Sequence, residues 1–360
     1  MSISRHARFA RLPVLGHFAK PLRRLVLDVR AALVLPWGIW RYYMTGRTPD
    51  VSQQAMIWLF CTTGGRFNDW MSRHIARRRP PLALPDTQGV LGDMGQARRS
   101  AFVEQLQRDG VVVFPSALPQ EVCDRLMQFT RERPGNVRPM DGQGEDARRA
   151  AIYDSERPAA VRYDYQQSDL LNLSDVQDLL ADSSLLALVQ DYLGCAPTAD
   201  VLGMWWHTAF QDHPDSMAAQ YFHFDMDRFK WLKVFIYLTD VGSDNGPHAF
   251  VRGSHRTGTI PSHILQRGYV RLTDEEVAEH FPSEDILAFS APRGSIIVED
   301  TRGLHKGVHV REGARLILQL QFSNTLFGTN YPKARMNRVV SPRMQRMLEL
   351  APSIYRQYRE

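Results

Sequence analysis

The sequence predicts a mainly β core with helices, an α+β chain, preceded by a basic helical segment. Three observations predict it. Residues 294–299 (Gly-Ser-Ile-Ile-Val-Glu) and 314–322 (Ala-Arg-Leu-Ile-Leu-Gln-Leu-Gln-Phe) are rich in β-branched and large apolar residues and bounded by glycine, a strand signature. His223-Phe224-Asp225 also suits a strand, because alternate side chains share a face, so residues 223 and 225 point one way and Phe224 the other. Residues 1–80 differ in kind: they hold fourteen Arg or Lys against three Asp or Glu, a net of +11, which leaves −6 for the other 280 residues of a chain whose total is +5.

That opening segment carries an apolar and aromatic run at 25–44, interrupted by Asp28, Arg30, Pro36 and Arg41. Its longest uncharged piece, residues 31–40, has ten residues, and a helix needs roughly twenty to cross a bilayer. Two arrangements fit. Amphipathic helices pack on the catalytic domain or on another subunit, with Trp58, Leu59, Phe60, Phe67 and Trp70 supplying a buried face. Alternatively residues 1–80 give peripheral membrane association at the inner face, with Arg and Lys beside Trp, Tyr and Leu drawn to anionic lipid. Nucleic acid is not expected as a partner, since basic charge without a recognition motif is sequence-blind. The apolar stretch starts late and no small-residue cleavage pattern follows it, so no secretory signal is read.

Residues 77–86, with Arg77, Arg78 and Arg79 followed by Pro80, Pro81 and Pro85, read as a linker. The expected division is a basic helical segment with linker at 1–95, a catalytic domain at 96–332 and a C-terminal helix at 333–360. That helix is read over 340–358 with a break at Pro352, as a packing or homo-oligomer element. Residues 131–146, rich in Gly, Pro and charge, read as a surface loop, 201–210 as a strand, and 257–283 as an insertion with a helix at 274–281.

The chemistry concentrates in His223, Asp225 and His305. Two imidazoles and one carboxylate without a thiolate are the ligand set that holds non-haem Fe(II) on one face and leaves other positions open. His305 lies between the two apolar runs, and Arg315 opens the second of them. A guanidinium there can pair bidentately with a ligand carboxylate, which Lys reproduces poorly.

Residues 220–323 resemble the phytanoyl-CoA dioxygenase family of Fe(II)/2-oxoglutarate oxygenases. Residues 109–126 are similar to the family's opening strand and helix, 182–194 to its pre-barrel helix, and 245–256 (Asn-Gly-Pro-His-Ala-Phe-Val-Arg-Gly-Ser-His-Arg) to its Asn-Gly-Pro and Gly-Ser-His segment. The resemblance covers roughly residues 100–325. It implies a double-stranded β-helix of the jelly-roll or cupin-like type, an iron triad of His223, Asp225 and His305, and Arg315 on the far carboxylate of 2-oxoglutarate. It further implies a dioxygenase that uses O2, releases succinate and CO2, and acts on a small-molecule or lipid-like substrate. Halogenating relatives have a small residue where this chain has Asp225, so hydroxylation, or another oxidation without halogen, is favoured. Several relatives have Ser two residues after the second histidine; this chain has Gly307.

Further cosubstrate contacts depend on the orientation of 231–238. Lys233, Phe235 and Tyr237 share one face and Val234, Ile236 and Leu238 the other. With the odd face inward, Lys233 and Tyr237 are candidates for 2-oxoglutarate; with the even face inward, Lys233 is solvated. Trp205 and Trp206 are candidates for pocket lining or core filling, and Arg138, Arg162, Tyr163 and Tyr165 for substrate contact at the barrel mouth or for a solvated loop.

The apolar fraction of 44% and charged fraction of 23% exclude disordered and collagen-like classes. Cys61, Cys123 and Cys195 are isolated and odd in number, which argues against a disulfide framework and fits a reducing, cytoplasmic setting. Cys123 is read as a buried small hydrophobe. His207, His213, His248 and His255 read as hydrogen-bonded structural histidines; His305 and His309, four apart, would converge only on a helix, and a strand is expected there; Asp227 and Asp240 are weaker alternatives to Asp225. The competing function is a zinc-dependent or non-catalytic cupin-like protein that docks on membranes or partners through its basic N-terminus; the zinc-dependent form would not need Arg315.

Overall fold

The structure is a computed structural model that describes residues 19–138 and 149–358. Three helices come first: α1 (Ala19–Thr45), α2 (Asp50–Thr63) and α3 (Arg66–Arg78). α1 continues through Pro36 and approaches α2 at Gly38, where a Cβ would collide with Ser52. α2 ends in the left-handed conformation at Gly64, the commonest helix stop. Phe60 packs on Phe224 with ring centroids 6.0 Å apart. Leu35, Tyr42, Met56 and Met71 cluster with Phe229 and Phe327, whose rings stack at 5.5 Å. The segment is therefore packed on the rest of the chain. Trp70 departs from expectation: it is exposed, its ring lying on Phe67 and His74 rather than in the core.

The linker expected at 77–86 begins inside α3, and residues 79–95, which contain no helix or strand, put Leu91 and Met94 into the main core. There follow α4 (Gln96–Asp109), β1 (Val111–Phe114), α5 (Gln120–Glu132), β2 (Gly135–Val137), β3 (Arg149–Ala151) and β4 (Arg162–Asp164). The loop expected at 131–146 is thus partly the end of α5 and the strand β2, and residues 139–148 lie outside the described residues. β2 owes its conformation to pairing with β3 and β4, which nothing in its own composition signals.

α6 (Gln167–Leu170), α7 (Ser174–Leu180) and α8 (Ser183–Leu193) lead into β5 (Thr198–Thr208), β6 (Trp231–Tyr237) and β7 (His248–Val251). The side chain of Asp182 accepts from the amides of Ser184 and Leu185 and so caps α8, a contact of the kind worth about 1 kcal/mol. α9 (Ser262–Leu265) and α10 (Asp274–Ala278) lie in the insertion; α10 opens on a capping box of Thr273 and Glu276 and stops short of residue 281. β8 (Ile286–Phe289), β9 (Ile296–Glu299), β10 (His305–Gly307) and β11 (Ala314–Ser323) complete the barrel. α11 (Pro342–Leu350) and a 3-10 helix (Pro352–Tyr358) replace the single interrupted helix expected at 340–358.

Eight strands form one antiparallel sheet in the order β1-β9-β6-β11-β5-β4-β2-β3, and β10-β7-β8 form a second. Between the sheets lie Val111, Trp205, Phe235, Tyr237, Phe250, Ile297 and Ile317. On the outer face of the large sheet, Val234, Ile236 and Leu238 join the main core with Leu185, Val189 and Tyr355. This is a jelly-roll core with its large sheet backed by helices. Both faces of β6 are buried, so the two arrangements left open for residues 231–238 are not alternatives. The even face packs on the helices and the odd face looks between the sheets.

Candidate metal centre

His223 sits in an extended segment rather than in a regular strand. It exchanges two backbone hydrogen bonds with His305, His223 N to His305 O at 3.0 Å and His305 N to His223 O at 2.8 Å. This bridge adds residue 223 to the edge of the small sheet. The amide of Asp225 donates to Thr301 O at 2.9 Å, which brings its carboxylate back to the same place.

The two imidazoles lie with ring centroids 4.3 Å apart. Nδ1 of His223 donates to Tyr221 O at 2.9 Å, and Nδ1 of His305 to Gly303 O at 3.0 Å. With those protons placed on Nδ1, each ring presents Nε2 as a lone pair, the usual outer-sphere arrangement of a metal-binding histidine. Nε2 of His223 is 4.0 Å and Nε2 of His305 3.5 Å from the Asp225 carboxylate. All three ligand atoms fall within 4.8 Å of one another, and among the described residues this is the one such cluster of three His, Cys, Asp or Glu.

Electrostatics keep the donors in their binding forms. Burial, then the neighbouring His305, pushes His223 well below the ordinary imidazole range, and burial also lowers His305, so both are neutral at pH 7. Burial works to raise Asp225, but Lys233 overcomes it, with His305 and His223 assisting, and holds the carboxylate below its usual range. Lys233 Nζ donates to Asp225 Oδ2 at 2.5 Å. Asp227 takes the opposite course: burial and the charge of Asp225 push it up to about 6. Asp240 is engaged elsewhere, accepting from the amide of Arg293 at 2.9 Å.

Arg315 lies against β10 at Gly307, two residues beyond His305, and the register of β11 sets it opposite His207 of β5. The guanidinium is buried; Nη2 donates to His207 Nδ1 at 2.8 Å and Nη1 to the carbonyl of Gly246. Its Nε has no partner, and no carboxylate pairs with this arginine among the described residues. Burial lowers its pKa, with Tyr237 the one group working against that. Tyr237 OH donates to Phe289 O at 3.0 Å and accepts from the amide of His248 at 2.8 Å.

Two residues missed as site groups stand behind the cluster. His248 lies 5.8 Å from His305, ring to ring, and its Nε2 is 2.8 Å from Glu299 Oε2. Burial pushes Glu299 up to about 8 and His248 down to about 3, so the carboxyl is the donor in this pair at neutral pH. The available signal was Glu299 ending an otherwise apolar strand; the register then sets it opposite Lys233. Trp205 faces the space between the sheets under the guanidinium of Arg162, 4.1 Å from its ring, whereas Trp206 stacks on Tyr153 in the main core. Arg138 and Arg162 share Asp164, at 2.9 and 2.7 Å. Tyr163 and Tyr165 are core residues, their hydroxyls held by Ala159 N and Thr130 O, and so are not at a barrel mouth.

The fold and this cluster define a jelly-roll protein with a candidate mononuclear metal centre. The chain belongs to the phytanoyl-CoA dioxygenase (PhyH) family, whose profile matches residues 106–311. A search of the curated proteins found no match. Among solved structures it is similar to the epimerase SnoN in complex with Fe3+, α-ketoglutarate and nogalamycin RO (17% identity over 63% of this chain and 83% of that one, TM-score 0.44). It is also similar to EctD from S. alaskensis in its apoform (17% over 71% and 89%, TM-score 0.45). HygX from Streptomyces hygroscopicus with nickel and 2-oxoglutarate bound is comparable (18% over 66% and 94%, TM-score 0.45).

Proposed function

We propose that this protein is an Fe(II)- and 2-oxoglutarate-dependent oxygenase that hydroxylates an unactivated C–H bond of a small organic or lipid-like molecule. The observation that carries the reading is a buried guanidinium without a carboxylate partner, Arg315, in a barrel whose neighbouring donor cluster is two neutral imidazoles and one ionised carboxylate. A buried charge left unpaired costs several kcal/mol, so such a site favours an incoming anion.

The donor set fits ferrous ion, with Nε2 of His223, Nε2 of His305 and the Asp225 carboxylate as its ligands. Arg315 would grip the distal carboxylate of 2-oxoglutarate, its orphaned Nε supplying a free donor for a two-point contact. When bound, the ion and cosubstrate supply oxidation of a C–H bond by O2, with succinate and CO2 as co-products. The protein's own part is position and exclusion of water. The carbonyls of Tyr221 and Gly303 fix the two rings, and Lys233 keeps Asp225 ionised and is itself a candidate for a cosubstrate carboxylate. Tyr237, tied to Phe289 and His248, lines the same interior, with Phe235, Ile297 and Ile317 as apolar wall. Asp225 would occupy, as a ligand, the coordination position that a halide would need, which favours hydroxylation over halogenation. Residues 96–332 form the catalytic unit in this reading.

Anaerobic calorimetric titration of 2-oxoglutarate into the Fe(II)-loaded protein tests it. Wild type should bind, and Arg315→Leu should bind at least about a hundredfold more weakly with unchanged metal content, the loss of a buried charge pair. Equal affinity in the two proteins would sink the assignment.

A further inference from the structure

Helix α1 has two apolar faces, and one of them has nothing against it among the described residues. Ala31, Leu35 and Tyr42 are buried toward the core. Val26, Val29, Leu33, Trp37, Trp40 and Met44 are between 47% and 71% exposed. Their spacing of 3-4-4-3-4 draws them into a single stripe along the helix, since residues three and four apart share a face. Over the nineteen positions from 26 to 44 the stripe runs about 27 Å. Exposed tryptophans in a line are unlike the scattered single apolar residues of an ordinary surface.

The charges around the stripe have one sign. Arg30 and Arg41 are exposed and eleven residues, three helical turns, apart, so they share an edge of it. Asp28, the one acid in α1, is turned away to accept from Trp58 Nε1 at 2.8 Å. No described helix is long and apolar enough to cross a membrane.

We propose that this face of α1 lies in the interface of an anionic lipid bilayer, with Trp37 and Trp40 at headgroup level and Arg30 and Arg41 on lipid phosphates. Charge complementarity selects this occupant. A second copy of the chain would set one segment of net +11 against another, and residues 1–18 bring Arg5, Arg8 and Arg11 without an acid. An anionic surface offers the opposite sign together with an apolar layer, and amphipathic aromatic rings partition into that boundary. The placement also leaves the buried face of α1 untouched, so docking needs no rearrangement of the core.

Flotation of the full-length protein with phosphatidylcholine vesicles, with and without phosphatidylglycerol, tests the proposal, alongside sedimentation velocity without lipid. Binding is expected to the anionic vesicles and to fall at least tenfold on neutral ones. Arg30→Gln and Arg41→Gln should each weaken it about fivefold. The double variant Leu33→Glu, Trp40→Glu should abolish it with an unchanged melting temperature, because both side chains are solvent-exposed. Undiminished flotation of the double variant, absence of wild-type binding, or a wild-type dimer that this variant converts to monomer would each overturn the proposal, the last pointing to a second copy as the occupant.

Discussion

A Cβ atom on Gly307 would lie 2.9 Å from Nη2 of Arg315, so the residue two positions after His305 and the buried guanidinium occupy one volume. Here the arginine fills the space, and the acceptor for its Nη2 is His207, carried on the neighbouring strand β5. The glycine and the histidine are two halves of one local solution.

Gly307→Ser should therefore weaken 2-oxoglutarate binding without affecting iron. Overpacking costs about 1–3 kcal/mol, or roughly ten- to a hundredfold in affinity if it falls on the displaced guanidinium. Titrations with Fe(II) and then with 2-oxoglutarate separate the two effects.

His207→Phe removes the acceptor for Nη2 and should weaken 2-oxoglutarate binding about tenfold, by the cost of a lost hydrogen bond to a charged group. Burial and then the charge of Arg315 hold His207 well below the ordinary imidazole range. It stays neutral as pH falls through the usual histidine range. Wild-type affinity for 2-oxoglutarate should accordingly show no step near pH 6.5 from this residue. A step present in wild type and absent in His207→Phe would contradict the assignment.

Lys233→Met takes away the main group that holds Asp225 ionised. The carboxylate pKa should rise, so Fe(II) binding should be lost at a higher pH than in wild type as acid is added. The pH dependence of Fe(II) affinity, measured anaerobically, gives the shift.

A second buried network joins the N-terminal helices to the barrel. Arg302 is paired with Asp300 at 2.7 Å and with Asp69 of α3 at 2.9 Å, and Tyr192 donates to Asp300 at 2.6 Å. Burial opposes ionisation of Asp300, but Arg302 overcomes it and lowers the carboxyl to about 2. A group whose folded pKa lies below its unfolded value stabilises the fold above the unfolded value, about 3.9, and that contribution fades as pH falls through the folded one. The term is of order 2–3 kcal/mol. Asp300→Asn should lower the melting temperature at pH 7 and remove this acid-dependent loss between about pH 4 and 2.

The candidate metal cluster was legible because two of its members stand two apart in an extended segment, His223-Phe224-Asp225, and the third is a histidine between two apolar runs. Its support was not. The His248–Glu299 pair and the His207–Arg315 contact depend on which strands are neighbours and in what register. For β6, alternation was visible but did not decide orientation, because helices cover Val234 and Ile236 while Phe235 and Tyr237 fill the space between the sheets. In α1, side chains that pack and side chains left exposed follow the same helical period, so the sequence alone does not separate them. Tyr163 and Tyr165 were misplaced because β2 and β4 are too short to show a pattern of their own.

His223, Asp225 and His305 are proposed to hold Fe(II), with 2-oxoglutarate bound beside it. Anaerobic addition of Fe(II) and then 2-oxoglutarate to the metal-free protein, followed by visible absorption, tests this most directly. A weak metal-to-ligand charge-transfer band is expected in wild type and none in His223→Ala or His305→Ala. A folded wild-type protein that binds iron and 2-oxoglutarate yet gives no band, or variants that keep it, would contradict the account.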